Sequence, residues 1–527
     1  MPRRARSETP PLPFSGPVHV VWFKRDLRVA DHEALAAAAE RGAVLALYVF
    51  EDELLAAPEA DRGHYGFVLE ALRSLDASLR GLGARLTVRR GEVTQVLEAL
   101  DRDLQPFGGI AHVYAHQECG NGLTYARDRR VARWLDARGV GLSEFLQDGV
   151  VRRLPSRDGW SGRWQRRMKR DLVPTPPRVL GVDPEGGSFD HGALPTLDEL
   201  GLPPTTVRDD LRQRGGEALA RETLRTFLHE RGESYQRAMS SPLEGWEACS
   251  RLSPHFAVGS ISLKTVHHEL SARQAELREM SPAERGTWGA ATRSFAGRLR
   301  WHCHFMQKLE DEPELEFRSL NRAFDGLREG EFDAARYDAW REGRTGYPMV
   351  DACMRCLAET GWLNFRMRAM LVSFAAYHLW LHWRPVGMHL ATKFVDFEPG
   401  IHWSQTQMQS GVTGINTVRI YSPTKQLQDQ DPEGVFVRRW VPELARVPKK
   451  LLAEPFRMTR AEQDGAGCVI GGDYPAPIVD HKQAVQAAKD RVYAARRTDE
   501  ARAEAKRVYE QHGSRRRPRR PTKERTA

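Results

Sequence analysis

The chain has 527 residues, 41% of them hydrophobic and 28% charged, enough for two or three domains with interiors of their own. No apolar run approaches the roughly 18 residues a membrane helix needs, and MPRRARSETPPLPFSGP carries charge with no apolar segment after it, so neither a membrane span nor a secretory leader is expected and the cytoplasm is the expected compartment. The net charge of +9 is mostly terminal, because residues 513–527 balance to +6 and Met1 to Glu8 to +2; any nucleic-acid face on the nearly neutral body has to be a local concentration of cations.

Residues 1–16 read as a disordered arm. From 17 to 150 short β-branched runs alternate with amphipathic stretches, the pattern of a doubly wound parallel α/β sheet. The expected strands are VHVVWF from Val18, VLALYVF from Val44, RLTVRRG from Arg85 and IAHVYAH from Ile110. Between the second and third, Val68, Leu72, Leu75, Leu79 and Leu82 recur at helical spacing as one apolar stripe. Such sheets take ligands at the carboxyl ends of their strands, yet neither GxGxxG nor a phosphate-binding P-loop is present, which leaves a dehydrogenase or nucleotide hydrolase reading without its loop.

Residues 151–206, rich in Pro and Gly, read as an interdomain connector. From 207 to 474 strand signals nearly vanish, and aromatic and arginine-rich helices such as YPMVDACMRCLAETGWLNFRMRAMLVSFAAYHLWLHWR take over. An all-α domain of this composition suits a pocket for a large aromatic ligand bearing phosphates. Residues 475–512 read as a surface helix leading into a disordered basic tail, 513–527, whose arginines are either a solvated charge run or a non-specific phosphate contact. Six scattered cysteines give no disulfide framework. The pair Cys353 and Cys356 lacks a second CxxC, and His302, Cys303 and His304 cannot all face one centre from a single helix, so no metal site is expected.

Four segments carry a resemblance. VVWFKRDLRVADHEAL (Val20 to Leu35), SRLSPHFAVGSIS (Ser250 to Ser262), WREGRTGYPMVDACMRCLAETGW (Trp340 to Trp362) and RIYSPTKQLQDQDPEGVFVRRWVPEL (Arg419 to Leu444) are similar, in order and spacing, to the motifs of the DNA photolyase and cryptochrome family, in a divergent bacterial-type form. The resemblance implies an α/β amino-terminal domain followed by an all-α FAD-binding domain, and blue-light-driven chemistry on a bound FAD. It implies damaged DNA as partner, a monomer, and a second antenna chromophore of unknown identity, since HQECGNGLTYARD from His116 does not reproduce a folate-type acidic site. Deoxyribodipyrimidine photolyase activity, a carbon–carbon lyase reaction that splits pyrimidine dimers with cyclobutane dimers as the first candidate, is the leading reading; a photoreceptor without repair activity is the alternative.

Residue by residue, the resemblance assigns the cofactor to Tyr235, Arg237, Ser250, Arg251, Leu252, Ser253, Phe295, Arg298, His302, Arg368, Asp396 and Glu398. The chemistry agrees in part, because hydroxyls and an arginine suit a pyrophosphate. A buried Arg368–Asp396 pair suits the electrostatics of a flavin ring. Trp301, Trp362, Arg366 and Arg298 are implied to hold an extruded lesion. Trp383, Trp403 and Trp380 are the candidate electron relay, with the family's outer tryptophan position falling near Gly330. The sequence also departs from the pattern. Cys249 stands where the family has Thr, Arg298 where enzymes acting on cyclobutane dimers present Glu, and Phe365 and Ala369 where they have Asn and Met. The histidine pattern of (6-4) repair is missing too.

Overall fold

A computed structural model describes residues 16–183, 187 and 189–513. The expected amino-terminal arm, up to residue 15, and the basic tail from residue 514 lie outside the described residues.

The amino-terminal half is a five-stranded parallel sheet of order β3-β2-β1-β4-β5, with β1 at Val18–Phe23, β2 at Val44–Phe50, β3 at Leu86–Arg90, β4 at Ile110–His116 and β5 at Gly141–Phe145. Alternation sends Val18, Val20 and Trp22 into one apolar layer and Val21 and Phe23 into the other, so helices cover both faces. The sequence reading missed β5. GLSEF is an edge strand, half exposed along its length, and offers too few apolar residues to stand out from a turn.

Helix α1 (Glu33–Ala39) follows β1, and α2 (Arg62–Leu82) is the helix announced by the leucine stripe. Leu72, Leu75 and Leu79 are buried, while Val68 and Leu82 pack at the margin. Asp61 caps the amino end of α2 by accepting from Gly63 N, and Gly83 closes it with φ 95°. A side chain at Gly83 would stand 2.9 Å from the Val179 carbonyl. That carbonyl belongs to the expected connector, which is fastened to the sheet: Val179 N donates to Leu82 O, Val44 N to Leu180 O and Val88 N to His191 O. The connector also holds a helix, α3 (Trp160–Met168), whose Trp160, Trp164 and Met168 are buried against the helical half.

The helical half positions its site with α4 (Ser253–Val258), α5 (Trp288–Asp311), α6 (Pro348–Thr360), α7 (Phe365–Ser373), α8 (Trp383–Lys393) and α9 (Pro399–Ser410). The expected single carboxyl-terminal surface helix is instead two, α10 (His481–Arg496) and α11 (Asp499–His512). They are not merely superficial. Ala488, Val492, Ala501 and Val508 are buried, and His512 meets Glu312 at 2.7 Å in the interior.

The loop after β1 latches the halves together. Leu27 N donates to Val258 O, Arg25 Nε to Ala257 O at 2.6 Å and Arg28 Nη1 to Gly259 O at 2.9 Å. Lys264 pairs with Asp31 at 2.7 Å. Gly259, at φ 70°, lets the backbones approach so closely that any Cβ there would stand 2.1 Å from Arg25 O. Two of the four motifs therefore meet each other across this junction. No helix among the described residues is long and apolar enough to cross a membrane.

Candidate functional site

A cleft of about 270 Å³ opens in the helical half, just below the roughly 300–1,000 Å³ typical of ligand sites. Tyr235, Ser250, Arg251, Ser253, Trp362, Arg368, Asp396 and Glu398 line it, which brings together expected residues separated by up to 163 positions. One wall is the SRLSP segment running into α4. Opposite it stand α7 and the first turns of α9, which contribute Phe365, Arg368 and Ala369, and Ile401, His402, Gln405 and Thr406.

Arg251 is the most constrained residue of the first wall. Its backbone is left-handed, φ 60°, a conformation that costs a non-glycine residue on the order of 1–3 kcal/mol and gathers at functional sites. Its guanidinium lies 4.1 Å from the Trp246 ring centroid and 3.8 Å from that of Trp362. Burial lowers its pKa to about 10, and Nη1 is buried with no partner in the protein. Asn364 Oδ1, also on the cleft, is likewise buried and unpartnered. Unsatisfied polar atoms of this kind are the mark of a site shaped for a polar ligand. Cys249 shares the wall, its thiol pushed up to about 11 by burial.

On the other side Arg368 grips Asp396 with both arms, Nη1–Oδ1 2.9 Å and Nη2–Oδ2 2.8 Å. Burial alone would raise the Asp396 pKa, but the Arg368 charge and hydrogen bonds hold it below the usual range. Glu398 goes the other way. Burial raises it to about 7 despite the pull of Arg25, whose Nη2 lies 2.7 Å from Oε2. Arg25 was not singled out in the sequence, although it sits within the first motif.

Several expected residues fall outside the cleft. Leu252 and Phe295 are core, Phe295 backing Tyr235 at a ring distance of 6.1 Å. Arg237 is exposed, because two helical positions turn it away from Tyr235. His302 lines a neighbouring pocket with Arg25, Gln147 and Glu398, and burial lowers its pKa to about 4. Cys303 and His304 turn elsewhere: Cys303 into the core, where Gly149 N donates to its sulfur, and His304 toward Trp160 and Trp301. Arg298, Trp301 and Arg366 do not line the cleft; Arg298 and Trp301 are exposed, and the Arg298 guanidinium lies 5.9 Å from the Phe365 ring.

Of the relay candidates, Trp383 and Trp403 are paired, both buried, with centroids 6.1 Å apart at 75°. Trp403 sits one side chain behind the cleft wall, 5.0 Å from His402 and 6.5 Å from Phe397. Trp380 does not join them. It packs with Tyr377, Ala488 and Val492, and its ring is flanked by the guanidinium groups of Arg328 at 4.4 Å and Arg491 at 4.3 Å. Two adjacent cations oppose removal of an electron from that ring, so the structure argues against Trp380 as a relay.

A second cleft, of about 190 Å³, lies at the carboxyl ends of β1, β2 and β4, where strand order reverses. Phe23, Tyr48, Phe50 and Tyr65 give it apolar walls, and Lys24, Glu51, Glu118 and Arg127 a charged end. Arg127 bridges Glu51 and Glu118, yet burial still raises Glu51 to about 7. Close by, Asp26 Oδ2 accepts from His32 Nε2 at 3.0 Å and His116 Nδ1 at 2.8 Å. Among the described residues these three are the group compact enough to hold a metal ion. His32 Nδ1 accepts from Leu35 N, which leaves its proton on Nε2 for Asp26, so the group is already satisfied as a cap on α1.

The comparisons agree with this division. A family described as DNA photolyase matches residues 19–153, and one described as the FAD binding domain of DNA photolyase matches residues 295–494. A deoxyribodipyrimidine photo-lyase of Halobacterium salinarum is 31% identical over 88% of this chain and 97% of its own. A cryptochrome DASH of Gloeobacter violaceus is 29% identical over 90% and 95%. The solved structure of a bacterial class III photolyase from Agrobacterium tumefaciens superposes with a TM-score of 0.77 at 27% identity, covering 93% of this chain and all of that one. Matched motifs, a parallel sheet joined to a helical half, and a cleft lined largely by residues of the FAD-binding match have one reading: the chain belongs to the DNA photolyase and cryptochrome family and carries its FAD-binding domain.

Proposed function

We propose that the chain repairs pyrimidine dimers in DNA under blue light, with cyclobutane dimers as substrate, and that residues 207–474 form its cofactor domain. One observation carries this reading: on the cofactor cleft the Phe365 ring keeps 48% of its surface exposed, with the Arg298 guanidinium 5.9 Å from its centroid. Exposed rings interleaved with cations are what a stacked base and its phosphates require. When bound, FAD supplies the light-driven electron donor.

The protein's own residues do the rest. Arg251, Ser250 and Ser253 would hold the cofactor's phosphates, while Arg368 and Asp396 fix a paired charge beside its ring. A dimer is extruded at a cost of a few kcal/mol, less than for an intact pair, because damaged bases stack poorly. Trp403 and Trp383 form the path that restores the reduced state. The second cleft is assigned to an accessory chromophore, supported by its place at the reversal of strand order and its aromatic walls.

The test uses the intact protein, its flavin reduced, mixed without oxygen with a single-stranded oligonucleotide carrying one cyclobutane thymine dimer. Thymine absorbance should return in the light and not in the dark. A second reading, a photoreceptor without repair activity, is favoured by the clasp of α10 on Trp380 through Arg491; fully bound and reduced flavin with no repair in the light would select it.

A further inference from the structure

We infer that Glu398, facing Asp148 across a small polar cavity between the two clefts, is a charge-compensating acid: when an electron enters the bound FAD, the Glu398 carboxylate takes up a proton through that cavity. The inference rests on the FAD-binding domain and holds for either reading of the function.

The cavity measures about 40 Å³, enough for roughly two or three waters. Arg25, Glu118, Cys119, Asp148, His302 and Glu398 face it, drawn from the loops after β1, β4 and β5, from α5 and from the residue before α9. Its lining joins it to both clefts. Glu398 also lines the cofactor cleft, while Arg25 and Glu118 also line the cleft at the sheet. A proton can therefore pass from the sheet cleft to Glu398 along polar groups, without crossing the apolar core. His302 Nδ1, buried and without a protein partner, gives water in the cavity one more group to bond.

The cluster is short of cations. Glu118 is held by Arg127 at 2.5 Å. Glu398 has Arg25 at 2.7 Å, but that guanidinium also donates to the carbonyls of Ala257 and Phe397. Asp148 accepts from Val150 N at 2.7 Å and meets no cation at ion-pair distance among the described residues. Cys119 and His302 are kept neutral by burial, which raises the thiol and lowers the imidazole. Burial, then the Asp148 charge, against the pull of Arg25, sets Glu398 at about 7. On the cleft side Arg368 is committed to Asp396, and burial holds His402 neutral, at about 4. Negative charge arriving in the cleft raises the Glu398 pKa further. The electron is then balanced by one proton: an O–H bond forms on a Glu398 oxygen, and the water that gave the proton regains one from solvent past Glu118.

The experiment reduces and reoxidises the flavin-loaded full chain at an electrode, in the dark, and records infrared difference spectra from about pH 6 to about pH 9. Above about pH 7, reduction should add the carbonyl band of a protonated carboxyl, downshifted in heavy water; at lower pH the band should shrink, because Glu398 already holds its proton. Glu398→Gln should abolish the band at every pH. Asp148→Asn removes a like charge from the cavity, so the pH at which the band grows should move down; this variant decides the matter if Glu398→Gln does not retain flavin. The inference is overturned by any of three results: no carboxyl band on reduction of the parent protein, a band that survives in Glu398→Gln, or an Asp148→Asn profile that matches the parent. The repair reading stands in each case, since no DNA is present.

Discussion

Arg25 and Glu398 stand 373 positions apart in sequence, and the guanidinium of one meets the carboxylate of the other at 2.7 Å on the boundary between the sheet and the cofactor cleft. The ion pair joins the first motif of the chain to the wall of the site. Arg25 also donates through Nε to Ala257 O, so one side chain fixes both the acid and the end of α4.

A first prediction concerns the protonation of Glu398. Burial raises its folded pKa to about 7, above the ordinary glutamate value, so the folded state binds the extra proton between about pH 4.5 and pH 7. Stability from this group is complete below that window and is lost as pH rises through it, by up to about 3 kcal/mol. Glu398→Gln should remove this segment. Urea unfolding of both proteins from pH 5 to pH 8 should give a flatter profile for the variant, and parallel profiles would show that Glu398 does not titrate there.

Breaking the bidentate pair has the opposite pH sign. Asp396, held low by Arg368, contributes stability above the unfolded carboxylate pKa that is lost as pH falls through its folded value. Arg368→Ala leaves the buried carboxylate without its partner and should cost about 3 kcal/mol, somewhat less for the part of Arg368 that water reaches. Flavin absorbance per protein and Tm should fall together, and Arg368→Lys should recover only part of each, because an ammonium cannot grip both oxygens.

For the electron path, Trp403→Phe and Trp383→Phe should each slow flavin photoreduction by a surface donor by at least about tenfold, since each interrupts the paired rings. Trp380→Phe should leave the rate within about twofold, because Arg328 and Arg491 oppose oxidation of that ring. Flash photolysis under blue light measures all three. A large loss in the Trp380 variant would return it to the relay.

The tail offers a test that needs no knowledge of its structure. Removing residues 514–527 takes away seven Lys and Arg side chains and should flatten the plot of log affinity for undamaged DNA against log salt, by up to about 0.7 to 0.9 for each phosphate the tail had neutralised. Flavin content should not change. Equal slopes for the long and short proteins would make the tail a bystander.

What the sequence determined by itself follows from periodicity and motif. The near-continuous apolar runs VHVVWF and VLALYVF required strands covered on both faces, and the leucine stripe of α2 required a helix with one buried face, because a short apolar run bounded by turns suits a two-sided strand and a three- and four-residue repeat suits a helix. The motifs brought Ser250, Arg251, Arg368, Asp396 and Glu398 into one expected site, and the structure places all five on one cleft. GLSEF escaped because a short, half-exposed edge strand has little apolar signal.

The tertiary structure decided which partner each side chain meets. Periodicity marks Trp380 as a candidate for burial but is silent about Arg328 and Arg491, which arrive from residues far along the chain and reverse its expected role. The same holds for Trp246, which closes over Arg251 with no motif to announce it, and for Arg237 and Phe295, whose helices turn them to solvent and to core. Phe365 reads in the sequence as a departure from a pattern. Only the tertiary structure leaves it half exposed with the Arg298 guanidinium 5.9 Å from its ring, because exposure depends on what the rest of the chain does not cover.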